Sequence, residues 1–195
     1  MKFLLTTLLL LLGQALYGQK SLHELQLNTE FKWIVDSLSP RLTIYYQSSN
    51  TISSKIEKVR DIILSQLDSV EKFMRIESYK SKIHLFVVDS RKQMKRLIGW
   101  ETNGTGFYKE NGSTGIESAK TRSIYSTHEY FHLMAMNLWG LTERWINEGM
   151  AVYSDDKWQG YDLHELTKYL IDNDRYVQLT RLIKNMNREN SSISY

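Results

Sequence analysis

The periodicity of apolar residues changes once along this chain, and the change decides the class of fold it can adopt. Up to about Ala119 two patterns alternate. Leu42 to Gln47 (Leu-Thr-Ile-Tyr-Tyr-Gln) is short and rich in β-branched and aromatic side chains, the composition of a strand. Between Ile52 and Tyr79 the residues Ile52, Ile56, Val59, Ile63, Leu67, Val70, Phe73 and Met74 recur at three- and four-residue steps, which predicts a long helix with one buried stripe. Ile83 to Val88 reads as a second, more buried strand, and Asp89-Ser90 leads into the N-cap of a helix over Arg91 to Ile98. Gly99 to Gly115 holds five glycines and predicts a loop around a hairpin at Gly106 to Tyr108, with a further strand at Ile116 to Ala119. From Ser123 the pattern is helical only: through Leu138, a stop at Gly140, Glu143 to about Lys157, Asp162 to Asn173, and Gln178 to Met186. Strands mixed with helices first and helices alone afterwards indicate an α+β fold, with a small mixed sheet and a long helix in its N-terminal half.

Length and composition set the remaining bounds. At 195 residues and 42% hydrophobic content, the chain suits one globular domain, expected over residues 20–195. Met1-Lys2 precedes an apolar run from Phe3 to Leu12 and then Gly13, Gln14, Ala15 and Gly18, the pattern of a secretory signal peptide over residues 1–19. A run that short spans a bilayer poorly, so a secreted or periplasmic protein with no stable membrane insertion after cleavage is the expectation. Ser21 to Ser39, ahead of the one proline, Pro40, reads as a mildly amphipathic helix or arm. The absence of cysteine excludes disulfides, thiolate ligands and a cysteine nucleophile. The net charge of +3 is spread among interleaved acids and bases, which gives no support for a nucleic-acid partner.

The chemistry concentrates at Thr127-His128-Glu129-Tyr130-Phe131-His132, inside the predicted helix. Residues four apart lie one above the other on one helical face, so the imidazoles of His128 and His132 can converge on one ion while Glu129 points beside it. A zinc site needs a third protein ligand and keeps its fourth position open for water. Glu148 is the candidate: it lies in Trp145-Ile146-Asn147-Glu148-Gly149-Met150-Ala151, and the break at Gly140 lets that segment fold back antiparallel to the first helix. Fifteen residues separate His132 from Glu148, room for a helix end, a turn and the start of the next helix. Gly149 and Ala151 are small enough to let the two helices approach closely.

His-Glu-x-x-His followed by Trp-Ile-Asn-Glu-Gly-Met-Ala resembles the gluzincin metallopeptidases, the group of thermolysin and aminopeptidase N, and is most similar to the compact peptidase MA-like domains. The likeness covers Ser126 to Tyr153 and is looser upstream. It implies a zincin-like fold, zinc held by His128, His132 and Glu148, Glu129 as catalytic base, and a peptide or protein substrate hydrolysed with metal assistance. The gap before Glu148 is shorter than in thermolysin or aminopeptidase N, and the Gly-Ala-Met-Glu-Asn exopeptidase motif is absent. Domains of this kind continue with further helices, so a C-terminally short member is expected.

Other candidates have structural readings beside their functional ones. Gly115-Ile116-Glu117-Ser118 faintly echoes the exopeptidase motif, which would make Glu117 an anchor for a substrate amino terminus. Tyr125 and Tyr153 are near enough in sequence to donate to an oxyanion, although tyrosine is abundant here, with 12 residues. Asn147, Asp155 and Asp156 can orient a ligating histidine or simply cap helices. His84 reads as a packing residue of its strand. An exposed strand near Ile116 to Ala119 would bind an extended peptide by β-augmentation. The alternative to a peptidase is a zinc-stabilised, non-catalytic binding or scaffold domain that retains the metal site.

Overall fold

In the computed structural model the described residues are 20–102, 104–107, 113–121, 123–140, 143–158 and 161–175. The leader at 1–19 and the predicted helix at Gln178 to Met186 lie outside them. Among the described residues no helix is long and apolar enough to cross a membrane. The chain divides into two compact units, one up to Asp155 and one from Asp156.

The first unit is mixed α+β. Its elements run α1 (Leu22–Gln26), β1 (Ile34–Asp36), β2 (Leu42–Tyr46), α2 (Ile56–Met74), β3 (Ile83–Val88), α3 (Arg91–Ile98), β4 (Gly104–Phe107), β5 (Ser113–Ser118), α4 (Thr127–Trp139) and α5 (Arg144–Asp155). The strands form one five-stranded sheet in the order β1-β2-β3-β5-β4. The central pairs β2–β3 and β3–β5 are parallel, and the outer pairs β1–β2 and β4–β5 are antiparallel.

A sheet covered on both faces explains the unbroken apolar run of β3. Ile83, Leu85 and Val87 point to one side, into a core shared with Val59, Ile63, Leu67 and Val70 of α2 and Tyr130, Phe131 and Met134 of α4. Phe86 and Val88 point to the other, against Leu25 and Phe31 and the α3 residues Met94, Leu97 and Ile98. Each fully buried aliphatic side chain of the α2 stripe contributes about 1.5–3 kcal/mol. The helix stops where Arg75 takes a left-handed conformation, φ 56°, so the expected reach to Tyr79 is not realised, and Tyr79 is buried as a loop residue.

Other differences have local causes. The lead-in expected as helix or arm makes only a five-residue helix with a capping box at Ser21 and Glu24, then a three-residue strand, β1, on the sheet edge. Such a strand is too short to show alternation. The glycine-rich stretch supplies not an isolated hairpin at Gly106 to Tyr108 but β4, the far edge of the sheet, paired Gly104 to Glu117 and Phe107 to Thr114. Tyr108 itself is outside the described residues. The expected strand Ile116 to Ala119 begins earlier, at Ser113, and is interior, so it offers no free edge for β-augmentation; that edge belongs to β4.

The second unit holds a small hairpin, β6 (Lys157–Trp158) with β7 (Tyr161–Asp162), and α6 (Leu163–Asp172). Asp162 caps α6 by accepting from the Glu165 amide, as the predicted helix start requires.

Candidate metal centre

The helix α4 begins at Thr127, four residues later than the helical pattern from Ser123 predicts, because Ser123–Tyr125 forms a separate 3-10 turn ahead of the cap. Ser126 is extended and its hydroxyl accepts from the His128 amide, 3.2 Å; Gly140, at φ 76°, ends the helix. Tyr130, Phe131, Met134 and Ala135 bury against the sheet and α2, which turns the opposite face, bearing His128 and His132, towards a cleft. The return stroke, α5, packs antiparallel on α4 and brings Glu148 over that face.

The three predicted ligands meet. The Nε2 atoms of His128 and His132 are 3.1 Å apart, and each is 3.6 Å from Glu148 Oε2. Ligand atoms bonded at 2.0–2.1 Å to a tetrahedral zinc lie about 3.4 Å from one another. The triangle found here matches that edge to within a few tenths of an ångström. Two imidazoles and one carboxylate are also a donor set that zinc uses. Other divalent ions accept the same donors, so the three residues form a group that could hold a metal ion without specifying which.

The protonation states suit a ligand set. Burial holds the His128 pKa below 6.5, helped by the neighbouring His132, and this outweighs the opposing pull of Glu148 and Asp155. A neutral imidazole with a free lone pair is what a metal requires. Burial likewise raises the pKa of Glu129 above 4.5, His132 opposing and Glu148 reinforcing. The His132 Nδ1 atom is buried and has no hydrogen-bond partner among the described residues.

The cleft, about 320 Å³, is lined by His128, Glu129, His132, Asn147 and Glu148 together with Thr102, Gly104 and Met136. The Glu148 side chain is half exposed, which leaves the open side of the triangle facing solvent. Three lining residues escaped the sequence reading. Met136 was within reach of it, being one turn beyond His132 on the same face. Thr102 and Gly104 were not, because a sheet edge brings them there. A Cβ on Gly104 would lie 2.5 Å from Glu117 Oε2 and 2.8 Å from Glu129 Cγ, so the edge strand rests directly on the stem of Glu129.

The remaining candidates go elsewhere. Glu117 is 1% exposed, its side chain lying over Gly104 of β4 and beside Glu129, so a substrate amine does not reach it from the cleft. Neither tyrosine lines the cleft: Tyr153 packs its ring on Phe73, 5.8 Å between centroids, and Tyr125 lies in a separate groove with Lys55 and Lys58. Asn147 does line it. Among the described residues Asp155 hydrogen-bonds no histidine, although its charge acts on His128; its Oδ1 accepts from the Thr127 amide at 2.9 Å. Asp156 pairs with His164, 3.7 Å, in the second unit. Gly149 faces open space, so of the two small residues only Ala151 is buried between the helices. His84 bonds Tyr45 through Nδ1, 3.1 Å, and packs in its strand. A larger groove of about 720 Å³ near Trp33 and Tyr45 gathers no comparable set of titratable groups. Compared with family models, with curated proteins and with solved structures, the chain matches none.

Proposed function

We propose that this chain is a zinc-dependent peptidase of the gluzincin type, exported by its leader, with His128, His132 and Glu148 as ligands and Glu129 as general base. The observation that carries the reading is the near-equilateral triangle of ligand atoms, with a half-buried carboxylate one residue from the first histidine and in the same cleft. A zinc ion held there would supply Lewis acidity, lowering the pKa of water to about 7 and polarising a carbonyl. Glu129 takes a proton from the attacking water and passes it to the leaving amine as the carbon–nitrogen bond breaks. Its raised pKa brings it nearer the range in which a carboxylate can do both. Gly104 places the outer edge of the sheet along the cleft, where an extended peptide can add as a further strand and lie across the ligands.

Metal analysis of the purified chain, combined with cleavage of a peptide library, tests this. The expectation is one zinc per chain and hydrolysis that Glu129→Gln abolishes while zinc remains bound. The same substitution should raise the stability of the metal-free protein at pH 7. A folded-state pKa above 4.5 means the ionised carboxylate is held unfavourably there, and a neutral isostere removes that penalty. Zinc-free protein with no zinc-induced rise in melting temperature would refute the metal centre. Zinc without cleavage, and Glu129→Gln behaving as the wild type, would leave a scaffold domain.

A further inference from the structure

We infer that Asp155 is a positioning residue for the metal centre, a pin that sets the register of α5 on α4 and thereby delivers Glu148 to the two histidines. The inference rests on the metal-site reading above and extends it to a residue seven positions beyond the ligand.

Among the described side chains of α5 few contacts fix it along its axis. Ala151 is fully buried, Val152 is half-buried and Tyr153 sets its ring edge-on to Phe73, whereas Ile146 and Met150 are 40% and 36% exposed and the Gly149 position contacts nothing. Apolar contacts of this kind are not directional and resist sliding weakly. At the helix end the contacts become directional. Asp155 Oδ1 accepts from the backbone amide of Thr127 at 2.9 Å and lies 3.2 Å from its hydroxyl. The Ser154 hydroxyl lies 3.3 Å from the same Thr127 Oγ1 and donates to the Ala151 carbonyl, 2.8 Å. The Thr127 amide is one of the first-turn donors that α4 cannot satisfy internally, and Thr127 is 5% exposed, so no water readily replaces the carboxylate. A negative group at that end is also favoured by the helix dipole.

The geometry converts this pin into metal-site order. Thr127 immediately precedes His128, so Asp155 grips the ligand helix at the residue before its first ligand. Seven residues along α5 are about two turns, or roughly 10.5 Å. With antiparallel helices pinned at Asp155 and Thr127, the pin sets how far along α4 Glu148 falls, and its Oε2 lies 3.6 Å from both Nε2 atoms. A slip of one turn, about 5.4 Å, would take the carboxylate out of reach of both.

The test is zinc affinity, measured by competition with a chromophoric chelator on folded protein well below its melting temperature, for the wild type, Asp155→Ala, Asp155→Asn, Glu148→Ala and the Asp155→Ala/Glu148→Ala double variant. Asp155→Ala should weaken zinc binding on the order of ten-fold or more. Asp155→Asn keeps an acceptor oxygen and should restore most of that loss. In the Glu148→Ala background, Asp155→Ala should add nothing, because the ligand it positions is gone; a merely structural role would weaken both backgrounds alike. Should Asp155→Ala fail to fold, Asp155→Glu, which moves the carboxylate by one methylene, takes its place with the same expectations. A wild type that binds zinc while the Asp155 variant binds equally tightly overturns this inference alone, as does an additive double variant. A wild type that binds no zinc overturns the metal centre and the pin with it.

Discussion

Replacing Gly104 by alanine separates a close approach required by the site from ordinary strand packing, because the two predict opposite signs. The backbone at Gly104 is outside the left-handed region, so its conformation does not forbid a side chain. At a compatible and roomy position, Gly→Ala stabilises by about 0.4–1 kcal/mol through the unfolded chain. Here the added methyl would sit 2.5 Å from Glu117 Oε2 and 2.8 Å from Glu129 Cγ. The glutamate oxygen is the end of a flexible side chain and can swing. Glu129 Cγ is anchored to α4 and must retreat by about 0.6 Å to reach ordinary contact at 3.4 Å. Overpacking of that kind costs about 1–3 kcal/mol, so the net change is a loss. Urea denaturation of the metal-free chain measures it, and each kcal/mol should also lower the melting temperature by about 2–4 °C. Glu117→Ala removes the shorter of the two contacts, so Gly104→Ala should be less damaging in that background. Zinc affinity should hold in the single variant, whereas under the proposed function a displacement of that size at Glu129 should lower turnover by up to about 100-fold. A Gly104→Ala chain as stable as the wild type, or more so, would refute the close approach and the role given to β4 in holding Glu129.

Three further expectations follow from the same coordinates. Burial holds both His84 and His128 below the ordinary value of 6.5, so their contribution to stability is present above about pH 6.5 and is lost as pH falls through their folded-state values. Denaturation of the metal-free protein between pH 7 and 5 should show that decline, and His84→Gln should make it shallower; an unchanged slope would contradict the assignment. Leu67→Ala, at a fully buried position of the α2 stripe, should destabilise by about 2–5 kcal/mol in urea and leave the zinc affinity of the folded fraction unaltered. Arg60 and Asp36 pair at 2.7 Å with both side chains largely buried, so Arg60→Ala should cost about 3–5 kcal/mol by stranding the carboxylate, and the double replacement Arg60→Met/Asp36→Leu should recover most of it.

The parts of this molecule legible in its sequence are those set by local rules. The β3 run, the cap at Ser90, the helix start at Asp162 and the stop at Gly140 each depend on a few neighbouring residues, and the structure places them within a residue or two of expectation; the α2 stripe keeps its spacing, although its helix runs only from Ile56 to Met74. The convergence of His128, His132 and Glu148 was legible for a related reason. Helical spacing fixes two ligands, and a single antiparallel reversal fixes the third, so the whole triangle needs only one non-local contact, α4 with α5.

Whatever depends on the sheet was not legible, and the same physical fact explains each case. Strand pairing joins residues far apart in sequence with no local mark of partner or order. Ile116 therefore looked exposed when its strand is flanked on both sides, and Glu117 looked available to a substrate when it is buried over Gly104 and beside Glu129. The glycine-rich stretch shows the limit most clearly, because composition correctly marks Gly104 as conformationally free but does not say what uses that freedom. Its φ is ordinary, and what requires glycine is the proximity of two acidic side chains, one from β5 and one from α4. A glycine kept for closeness and a glycine kept for a turn read alike in one sequence; they differ in what a methyl group would strike. The Gly104 wall of the cleft and the buried Glu117 carboxylate beside Glu129 meet at that one close approach. The sheet edge is thus as much a part of the candidate site as the two ligand helices.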